Sequence, residues 1–499
     1  MNGALMKASS RFAIAAALGL VVGVGSVRAA DLGGNCCADL EERIAELEAT
    51  TARKGNRKMS LTITGQVNRV VLWTDDRYLS RAYYGLDNTN SSTRLVFLGS
   101  ARVNPSVSMG FEIMFDTTSN GGGTTFGTSQ LDEDGKRTTG QALGNSISFN
   151  QPQGSSDTLW LARRMAWWIE HKDVGRVTVG RFESAGVVQT IDLGGIGVIG
   201  GPSFILLNGN FFLRGPTGQF YAMTWANIGD PAAAQGRTEL VRYDSPTWHG
   251  FIYSASIAEA GDYWGSMLRY ANEFNGVRVA AGIGYERSKD RATGATLDPT
   301  ALAFVGALPD VQAWGGGLSV MHVPSGLFVQ GHWNAVDYNG PGHVANAYWG
   351  SAGGATKKDT THWLIQGGIA KNWFGIGNTA LYGEYGKATD WGAETAGRNF
   401  AGTVAFGAPF NPGANSLANF TTVNGVTDTE MTIWGLGITQ NVDAAASTLY
   451  LGYRNFTADI TCTGATTAAG ACAGAAGGPA KTLPTEQLHV VVGGAVVRF

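Results

Sequence analysis

Histidine and cysteine are the residues best able to do chemistry in this chain, and their spacing argues against catalysis. The seven histidines are scattered along the sequence. No serine or acid stands beside them at a spacing that indicates a nucleophile and its base. We therefore predict that the protein is not an enzyme, and nothing in the sequence indicates a cofactor.

The four cysteines form two close pairs. Cys462 and Cys472 bracket a stretch rich in Gly, Ala and Thr, and no histidine lies at zinc-site spacing from either pair. In an oxidising compartment such a pair predicts a local disulfide, Cys462–Cys472, and no metal site. For the adjacent Cys36 and Cys37 our hypothesis is a disulfide between protomers, and the alternative is a strained or capped loop pair.

Charged residues recur at alternate positions of segments that read as β-strands. In "VSMGFEIMFD" the acids oppose a face of Val, Met, Phe and Ile, and "GVRVAAGIGYE" and "STLYLGYRNF" repeat the scheme. Alternation puts such charges on one face of a strand and apolar residues on the other. If the apolar face meets lipid, the charged face lines a wet interior. The predicted pore-lining residues are Glu112, Asp116, Arg278, Glu286 and Arg454.

The composition fits a barrel with an apolar exterior and a polar, water-filled interior. The chain has 499 residues, 72 of them Gly, a net charge of −3 and 15% charged residues, with a mean hydropathy of −0.04. This is too polar for a helical membrane protein and poor in charge for a soluble one, for which about 25% is usual. The near-neutral balance predicts no nucleic-acid partner.

Strand-like segments of about ten residues recur about sixteen times, which is the length a tilted strand needs to cross a bilayer. Short turns alternate with long polar connections, as in transmembrane barrels. The chain ends with "HVVVGGAVVRF". We predict that this last strand, ending at Phe499, pairs with the first one near Ile63 and closes the sheet, because an open edge would invite aggregation.

The residues before the barrel divide into two segments. Residues 1–30 have the charged start, apolar run and small residues of a cleaved signal peptide. Residues 31–57 carry Leu40, Ile44 and Leu47 at helical spacing, which predicts a short periplasmic helix that forms a coiled coil with its copies. The alternative is a flexible leader at the barrel mouth. The predicted fold class is therefore all-β, a single transmembrane antiparallel β-barrel over residues 58–499.

The motifs "TGQVN", "STRLVFLGSARV", "GRVTVGRFES" and the terminal "VVRF" resemble, in that order, the trimeric general porins of Gram-negative bacteria, most closely those of alphaproteobacteria. The resemblance implies a sixteen-stranded barrel, a homotrimer and a location in the outer membrane, among its lipid and lipopolysaccharide. It also implies that the third extracellular loop, Phe182–Ser203, folds inward and narrows the pore.

The resemblance further implies a constriction with arginines on the barrel wall and acids on the inward loop. Arg94 and Arg164, or its neighbour Arg163, match the wall arginines, and Arg102 follows from alternation. Glu183 and Asp192 are the loop acids, although "IDLGG" replaces the family's "PEFGGD"-type signature.

The function implied is passive diffusion of small hydrophilic solutes and ions through a water-filled channel. The alternatives are a substrate-specific channel and a structural protein that tethers the envelope, with the N-terminal helix in contact with peptidoglycan.

Overall fold

The computed structural model describes most of the chain after residue 58. The described residues are 59–88, 90–117, 160–186, 191–201, 211–218, 220–229, 237–258, 263–288, 297–298, 303–304, 311–338, 359–391, 420–421, 423, 426–463 and 480–499. The predicted signal peptide, N-terminal helix, Cys36, Cys37 and Cys472 lie outside them.

Within these residues the chain forms β-strands, one short helix and one 3₁₀ turn. The first strands are β1 (Ser60–Asp75), β2 (Ser80–Asp87), β3 (Arg94–Asn104), β4 (Val107–Thr117), β5 (Trp160–His171), β6 (Gly175–Glu183), β7 (Phe212–Arg214), β8 (Phe220–Thr224), β9 (Arg237–Asp244), β10 (Phe251–Ala258), β11 (Tyr263–Phe274) and β12 (Val277–Ser288). The others are β13 (Leu297–Asp298), β14 (Ala303–Phe304), β15 (Val311–His322), β16 (Leu327–Tyr338), β17 (Asp359–Lys371), β18 (Thr379–Thr389), β19 (Phe420–Thr421), β20 (Val426–Val442), β21 (Ser447–Thr463), β22 (Ala480–Leu483) and β23 (Leu488–Arg498). Helix α1 spans Ala226–Gly229 and the 3₁₀ turn spans Asp443–Ala445.

Eighteen of the strands form one antiparallel sheet. Strands β2 and β3 pair with successive parts of β1, and β22 and β23 with successive parts of β21. Each of these two pairs is one interrupted strand, so the sheet has sixteen strands around its circumference. This confirms the predicted fold class.

The sheet closes between its two ends, as predicted. Strand β1 pairs with β23 from Gln66↔Arg498 to Asp75↔His489. The terminal residue completes the seam, because the Gly65 N–H donates to the Phe499 carbonyl at 2.9 Å and the Phe499 N–H donates to the Gly65 carbonyl at 3.1 Å. The barrel therefore has no open edge at this point.

The two ends of the barrel differ in their connections. One end carries tight turns, such as residues 105–106 and 275–276, where Asn275 and Gly276 both have positive φ. The other end carries the long connections, including 118–159 and 390–425. Transmembrane barrels place short turns in the periplasm and long loops outside, and we name the two ends accordingly.

Apolar side chains cover the outer face. On β11 the outward Trp264 and Phe274 are ten residues apart, which is about 25 Å along the bilayer normal for a strand tilted by about 40°. An aromatic row marks the extracellular border of this belt, with ring centroids 5.1 Å apart for Trp264 and Tyr285 and 4.2 Å for Tyr285 and Trp314. Contacts of Trp363 with Tyr385 and of Trp434 with Tyr453 continue it. Among the described residues, no helix has the length and apolar character needed to cross a membrane.

Candidate pore constriction

A β-bulge on β5 turns two consecutive arginines into the barrel. The register between β4 and β5 shifts, so that Met114 pairs with Arg164 and Phe115 with Ala162. Arg163 is therefore the extra residue of the bulge. Strict alternation would send one of two neighbouring residues toward lipid, whereas here both guanidinium groups bind carboxylates on the inner face of β4.

Asp116 and Glu112 are those two carboxylates. Arg163 Nη1 forms an ion pair with Asp116 Oδ2, and Arg94 Nε lies 4.0 Å from Asp116 Oδ1. Arg164 Nη1 lies 2.6 Å from Glu112 Oε1. One carboxylate thus serves two arginines.

Glu183, the last residue of β6, is shared in the same way. Its Oε1 lies 2.5 Å from Arg164 Nη2 and 2.9 Å from Arg237 Nε. Arg94 is also within electrostatic range of Arg163, Arg164 and Arg237. We call this group the arginine wall: Arg94, Arg163, Arg164 and Arg237 with Glu112, Asp116 and Glu183. Four cations against three anions leave a formal surplus of one positive charge.

A third shared carboxylate continues this face toward the periplasm. Asp244 Oδ1 lies 2.8 Å from Arg242 Nη2 and 2.9 Å from Arg269 Nη2. This group adds a further surplus positive charge. The inner surface from β3 to β11 is therefore a wet, net cationic wall.

The third extracellular connection folds into the barrel, as the resemblance implied. We call residues 191–201 the constriction segment. Asp192 shapes its turn, because its Oδ1 accepts the Gly195 N–H at 2.9 Å and its Oδ2 accepts the Gly197 N–H at 2.6 Å. Ile196 and Ile199 are buried, so the segment rests with its apolar side against the wall.

A chain of hydrogen bonds fastens the constriction segment to the strands behind it. Gln330 Oε1 accepts the Leu193 N–H at 3.2 Å, and Gln330 Nε2 donates to Gln366 Oε1 at 3.1 Å. Gln366 Nε2 donates to the Gly200 carbonyl at 2.6 Å and to Glu384 Oε2 at 2.9 Å. Arg454 Nε in turn lies 2.5 Å from Glu384 Oε1. The chain links β16, β17, β18 and β21 across the barrel wall.

Two asparagines after β2 hold the segment from the other side. Asn88 Nδ2 donates to the Val198 carbonyl at 2.9 Å, and Asn90 Nδ2 donates to the Gly197 carbonyl at 2.9 Å. The segment is thus anchored at both margins. Its position in the lumen is fixed by contacts with the wall.

Further along, the same connection forms a folded cap at the extracellular mouth, together with a short strand from the connection between β18 and β20. We call β7, β8, α1 and β19 the cap; β8 pairs antiparallel with β7 and parallel with β19. Its interior is apolar and at most 1% exposed, and consists of Phe211, Leu213, Tyr221, Met223, Trp225 and Ile228. The ring centroids of Trp225 and of Phe456 on β21 are 5.7 Å apart, so the cap and the inner wall share one apolar core.

A buried ion pair joins the cap to β1. Arg214 Nε donates to Asp76 Oδ2 at 3.0 Å, and both side chains are nearly fully buried. Asp76 Oδ1 also accepts the Leu79 N–H at 2.8 Å. Beside it, Arg77 and Glu486 form an ion pair of 2.8 Å in which Arg77 is exposed.

Comparison with models of protein families identifies the family to which this chain belongs. Residues 15–461 match the model of a family described as Gram-negative porin. The chain belongs to this porin family. Its sequence has no significant match among curated proteins. It is an outer-membrane porin channel, which confirms the predicted channel function and location.

Several solved structures of bacterial outer-membrane proteins are similar to this chain at low sequence identity. The anion-selective porin from Comamonas acidovorans is 14% identical, with 88% of this chain and 100% of that chain covered and a TM-score of 0.49. Outer-membrane expressed OmpT of Vibrio cholerae is 12% identical, with 89% and 99% covered and a TM-score of 0.45. Salmonella typhi OmpF in complex with daunomycin is 10% identical, with 89% and 98% covered and a TM-score of 0.43.

The porin brings together only part of the predicted constriction set. Arg94, Arg164 and Glu183 meet in the arginine wall. Glu183 lies among the arginines and not across the pore from them, because β6 pairs directly with β5. Asp192 is on the constriction segment, where backbone N–H groups occupy its carboxylate. Arg102 lies apart from the others, at the periplasmic turn, where it donates to the Pro105 carbonyl at 3.3 Å.

The predicted pore-lining residues also divide. Glu112 and Asp116 belong to the arginine wall, and Glu286 is buried 3.1 Å from the Tyr263 hydroxyl. Arg278 pairs with Glu273 at 2.9 Å near the periplasmic end. Arg454 is partly buried behind the constriction segment, where it pairs with Glu384. Cys462 is in a disulfide, and its pairing with Cys472 stays a prediction because Cys472 lies outside the described residues.

Four charged residues of the cationic wall were missed by the sequence analysis. Arg242 and Asp244 stand two apart in "RTELVRYD", so the alternation rule could have found both. Arg269 follows from the same rule on β11. Arg237 begins its strand after a long connection, and only its pairing with Glu183 brings it to the site.

Proposed function

We propose that the channel works by passive diffusion, with the narrow passage between the arginine wall and the constriction segment as its selective point. Small hydrophilic solutes and ions cross it down their own gradients. The observation that supports this is the sharing of carboxylates: Asp116, Glu183 and Asp244 each serve two arginines.

Because each of these carboxylates is shared between two arginines, the wall keeps surplus positive charge, which favours anions. Rings of charged side chains select permeating ions, and a surplus guanidinium group attracts an anion that passes it. A unit charge about 4 Å from an ion is worth about 1 kcal/mol in water, or about fivefold in relative permeability. We therefore propose a modest preference for anions and polar solutes.

The test is the reversal potential of single channels in a KCl gradient. Replacing Arg94 and Arg163 together with Gln removes both arginine partners of Asp116 and changes the charge of the wall by two. We expect the ratio of anion to cation permeability to fall at least fivefold. Arg102→Gln is the matched control, because that arginine is exposed at the periplasmic turn, and it should leave the ratio unchanged. An unchanged reversal potential in the double variant would refute the assignment of the constriction.

The general diffusion pore and the substrate-specific channel differ in saturation. The cap, which fills part of the extracellular mouth, is the observation that favours specificity. In the same recordings, a conductance that rises in proportion to salt concentration supports general diffusion. A conductance or solute flux that saturates supports the specific channel.

The porin is also proposed to be a homotrimer without catalytic activity. Arg69 lies on the outward face of β1 between Val67 and Val71, which are both exposed. A charged residue facing lipid near the bilayer midplane costs about 2–4 kcal/mol, and a neighbouring subunit over β1 would reduce this cost. The division into residues 1–30, 31–57 and 58–499 and the contacts with lipopolysaccharide and peptidoglycan remain proposals.

A further inference from the structure

Four polar side chains meet on the inner faces of β16 and β17, apart from the constriction. They form what we call the histidine site: His332, Asn334, Thr360 and His362. Asn334 is the direct ladder partner of His362, and all four side chains are buried. The passage of ions along the arginine wall uses none of them.

The two imidazoles of this site lie against each other. His332 Nε2 lies 3.0 Å from His362 Nδ1, the ring centroids are 4.9 Å apart and the ring planes are 20° apart. At this separation one ring nitrogen donates a proton that the other accepts. The contact therefore holds a single proton.

The same arrangement suits a metal ion in place of that proton. A zinc–nitrogen bond is about 2.0–2.1 Å long, so two nitrogens on a tetrahedral zinc ion are about 3.3 Å apart. The observed separation of 3.0 Å needs to open by only a few tenths of an ångström. Each imidazole must also turn by roughly 35°, so that its lone pair points at the metal ion and no longer at the other ring.

A second observation, independent of the histidines, indicates a ligand. Asn334 is only 1% exposed, yet neither its amide oxygen nor its amide nitrogen has a hydrogen-bond partner, and the same holds for the Thr360 hydroxyl. Buried polar atoms are nearly always paired, and an unpaired one calls for an explanation such as an ion. Amide and hydroxyl oxygens beside two imidazole nitrogens form a mixed N/O donor set.

The neighbouring strands leave room around these side chains. On β15 the ladder partners of His332 and Asn334 are Gly317 and Gly315. On β18 the partner of His362 is Ala388. No large side chain from the flanking ladder positions therefore competes for the space.

We propose that the histidine site binds a divalent transition-metal ion, Zn²⁺ or Cu²⁺, with His332 Nε2 and His362 Nδ1 as nitrogen ligands and the Asn334 amide oxygen as a third ligand. Imidazole nitrogen selects these ions, whereas Mg²⁺ prefers oxygen ligands and octahedral geometry. The described residues contain no cluster of three or more His, Cys, Asp or Glu. The site depends instead on two histidines and an amide.

The test uses the full-length, untagged protein folded in detergent and freed of metal with a chelator. Titration with ZnCl₂ in a calorimeter, followed by metal analysis of the dialysed protein, should give one zinc ion per chain. His332→Gln with His362→Gln should abolish this stoichiometric binding. Asn334→Ala should weaken it by at least about 10- to 100-fold, because losing an outer-shell group already costs that much and Asn334 is a direct ligand.

The matched control is His322→Gln. His322 is exposed at a periplasmic turn, where its Nδ1 lies 2.7 Å from Ser325 Oγ, and its loss should leave zinc binding unchanged. Asn334→Ala keeps both imidazoles and tests the site even if the double variant does not fold, and single-channel conductance reports folding for every variant. The proposal is overturned if the wild type binds no stoichiometric zinc, if Mg²⁺ binds as tightly, or if the double variant keeps full affinity.

Discussion

The two sides of the barrel interior differ in the chemistry of their inward side chains, although the outer faces of both sides are apolar. On the arginine wall the inward side chains are charged, and carboxylates are shared between guanidinium groups. On the opposite side, from β16 to β23 and β1, many inward side chains are apolar, such as Leu72, Phe456 and Val492. We call this second side the packed wall, because the constriction segment and the cap cover it.

This difference shows what decides the chemistry of an inward position. A strand in a wet barrel needs polar inward residues only where water reaches it. Where a loop folds back onto the strand, apolar inward residues join a common core with that loop, as Phe456 does with Trp225. This arrangement supports the proposed position of the passage beside the arginine wall, where a permeating ion would pass close to the guanidinium groups.

The largest change in stability and conductance is expected when the cap is detached from the packed wall. Arg214→Gln leaves the Asp76 carboxylate buried without its ion-pair partner. Breaking a buried pair in this way costs about 3–5 kcal/mol. We expect a lower midpoint of heat unfolding in detergent and a higher single-channel conductance, since a loosened cap admits more water above the packed wall.

The matched control for this change is the double variant Asp76→Asn with Arg214→Gln, which removes both charges. It should recover part of the lost stability because no unpaired charge remains buried. If Arg214→Gln alters neither stability nor conductance, the cap does not depend on this pair and the mouth is not shaped as we describe.

The cap also marks where prediction from sequence ended. Alternation and turn chemistry predicted the outer face, the closure at Phe499 and the inward course of the third loop, because each follows from local pattern or family resemblance. The cap depends on contacts between distant segments, such as β8 with β19. Local pattern carries no signal for such a pairing, and apolar residues such as Tyr221 and Trp225 read as ordinary loop.

Only part of the constriction could be predicted from the sequence, for similar reasons. Arg94 and Arg164 carry a family pattern, and Glu112 and Asp116 follow from alternation. The bulge at Arg163 inserts one extra residue and breaks the alternation of inward and outward side chains. A pattern with a period of two residues cannot predict such an insertion. Strand β21 also runs to Thr463, because β22 gives its polar end a partner.

A second change acts on the packed wall beneath the constriction segment. A Cβ atom added at Gly194 would lie 2.5 Å from Cε2 of Phe328 on β16. Such overpacking typically costs about 1–3 kcal/mol. Gly194→Ala should therefore push the segment away from the packed wall, toward the arginines, and reduce single-channel conductance.

Gly367→Ala is the control for this prediction. The added Cβ would have the Phe328 carbonyl oxygen as its nearest neighbour, at 3.7 Å, which is an ordinary contact. Conductance should stay at the wild-type value. An equal drop in conductance in both variants would mean that any methyl group added near Phe328 disturbs the barrel. A shift of the constriction segment would then not be the cause of the lower conductance.

The smallest effect is expected at the exposed neighbour of the buried pair. Arg77→Gln removes an ion pair with Glu486 in which the arginine is 69% exposed, and exposed pairs contribute about 0–1 kcal/mol. Glu486 N–H still donates to the Arg214 carbonyl at 2.7 Å, so the cap keeps its backbone attachment. Heat unfolding and conductance should remain close to wild type. Should Arg77→Gln open the channel as far as Arg214→Gln does, the loss of positive charge at the rim would explain both results. The burial of the Asp76–Arg214 pair would then have no special part in holding the cap against the packed wall.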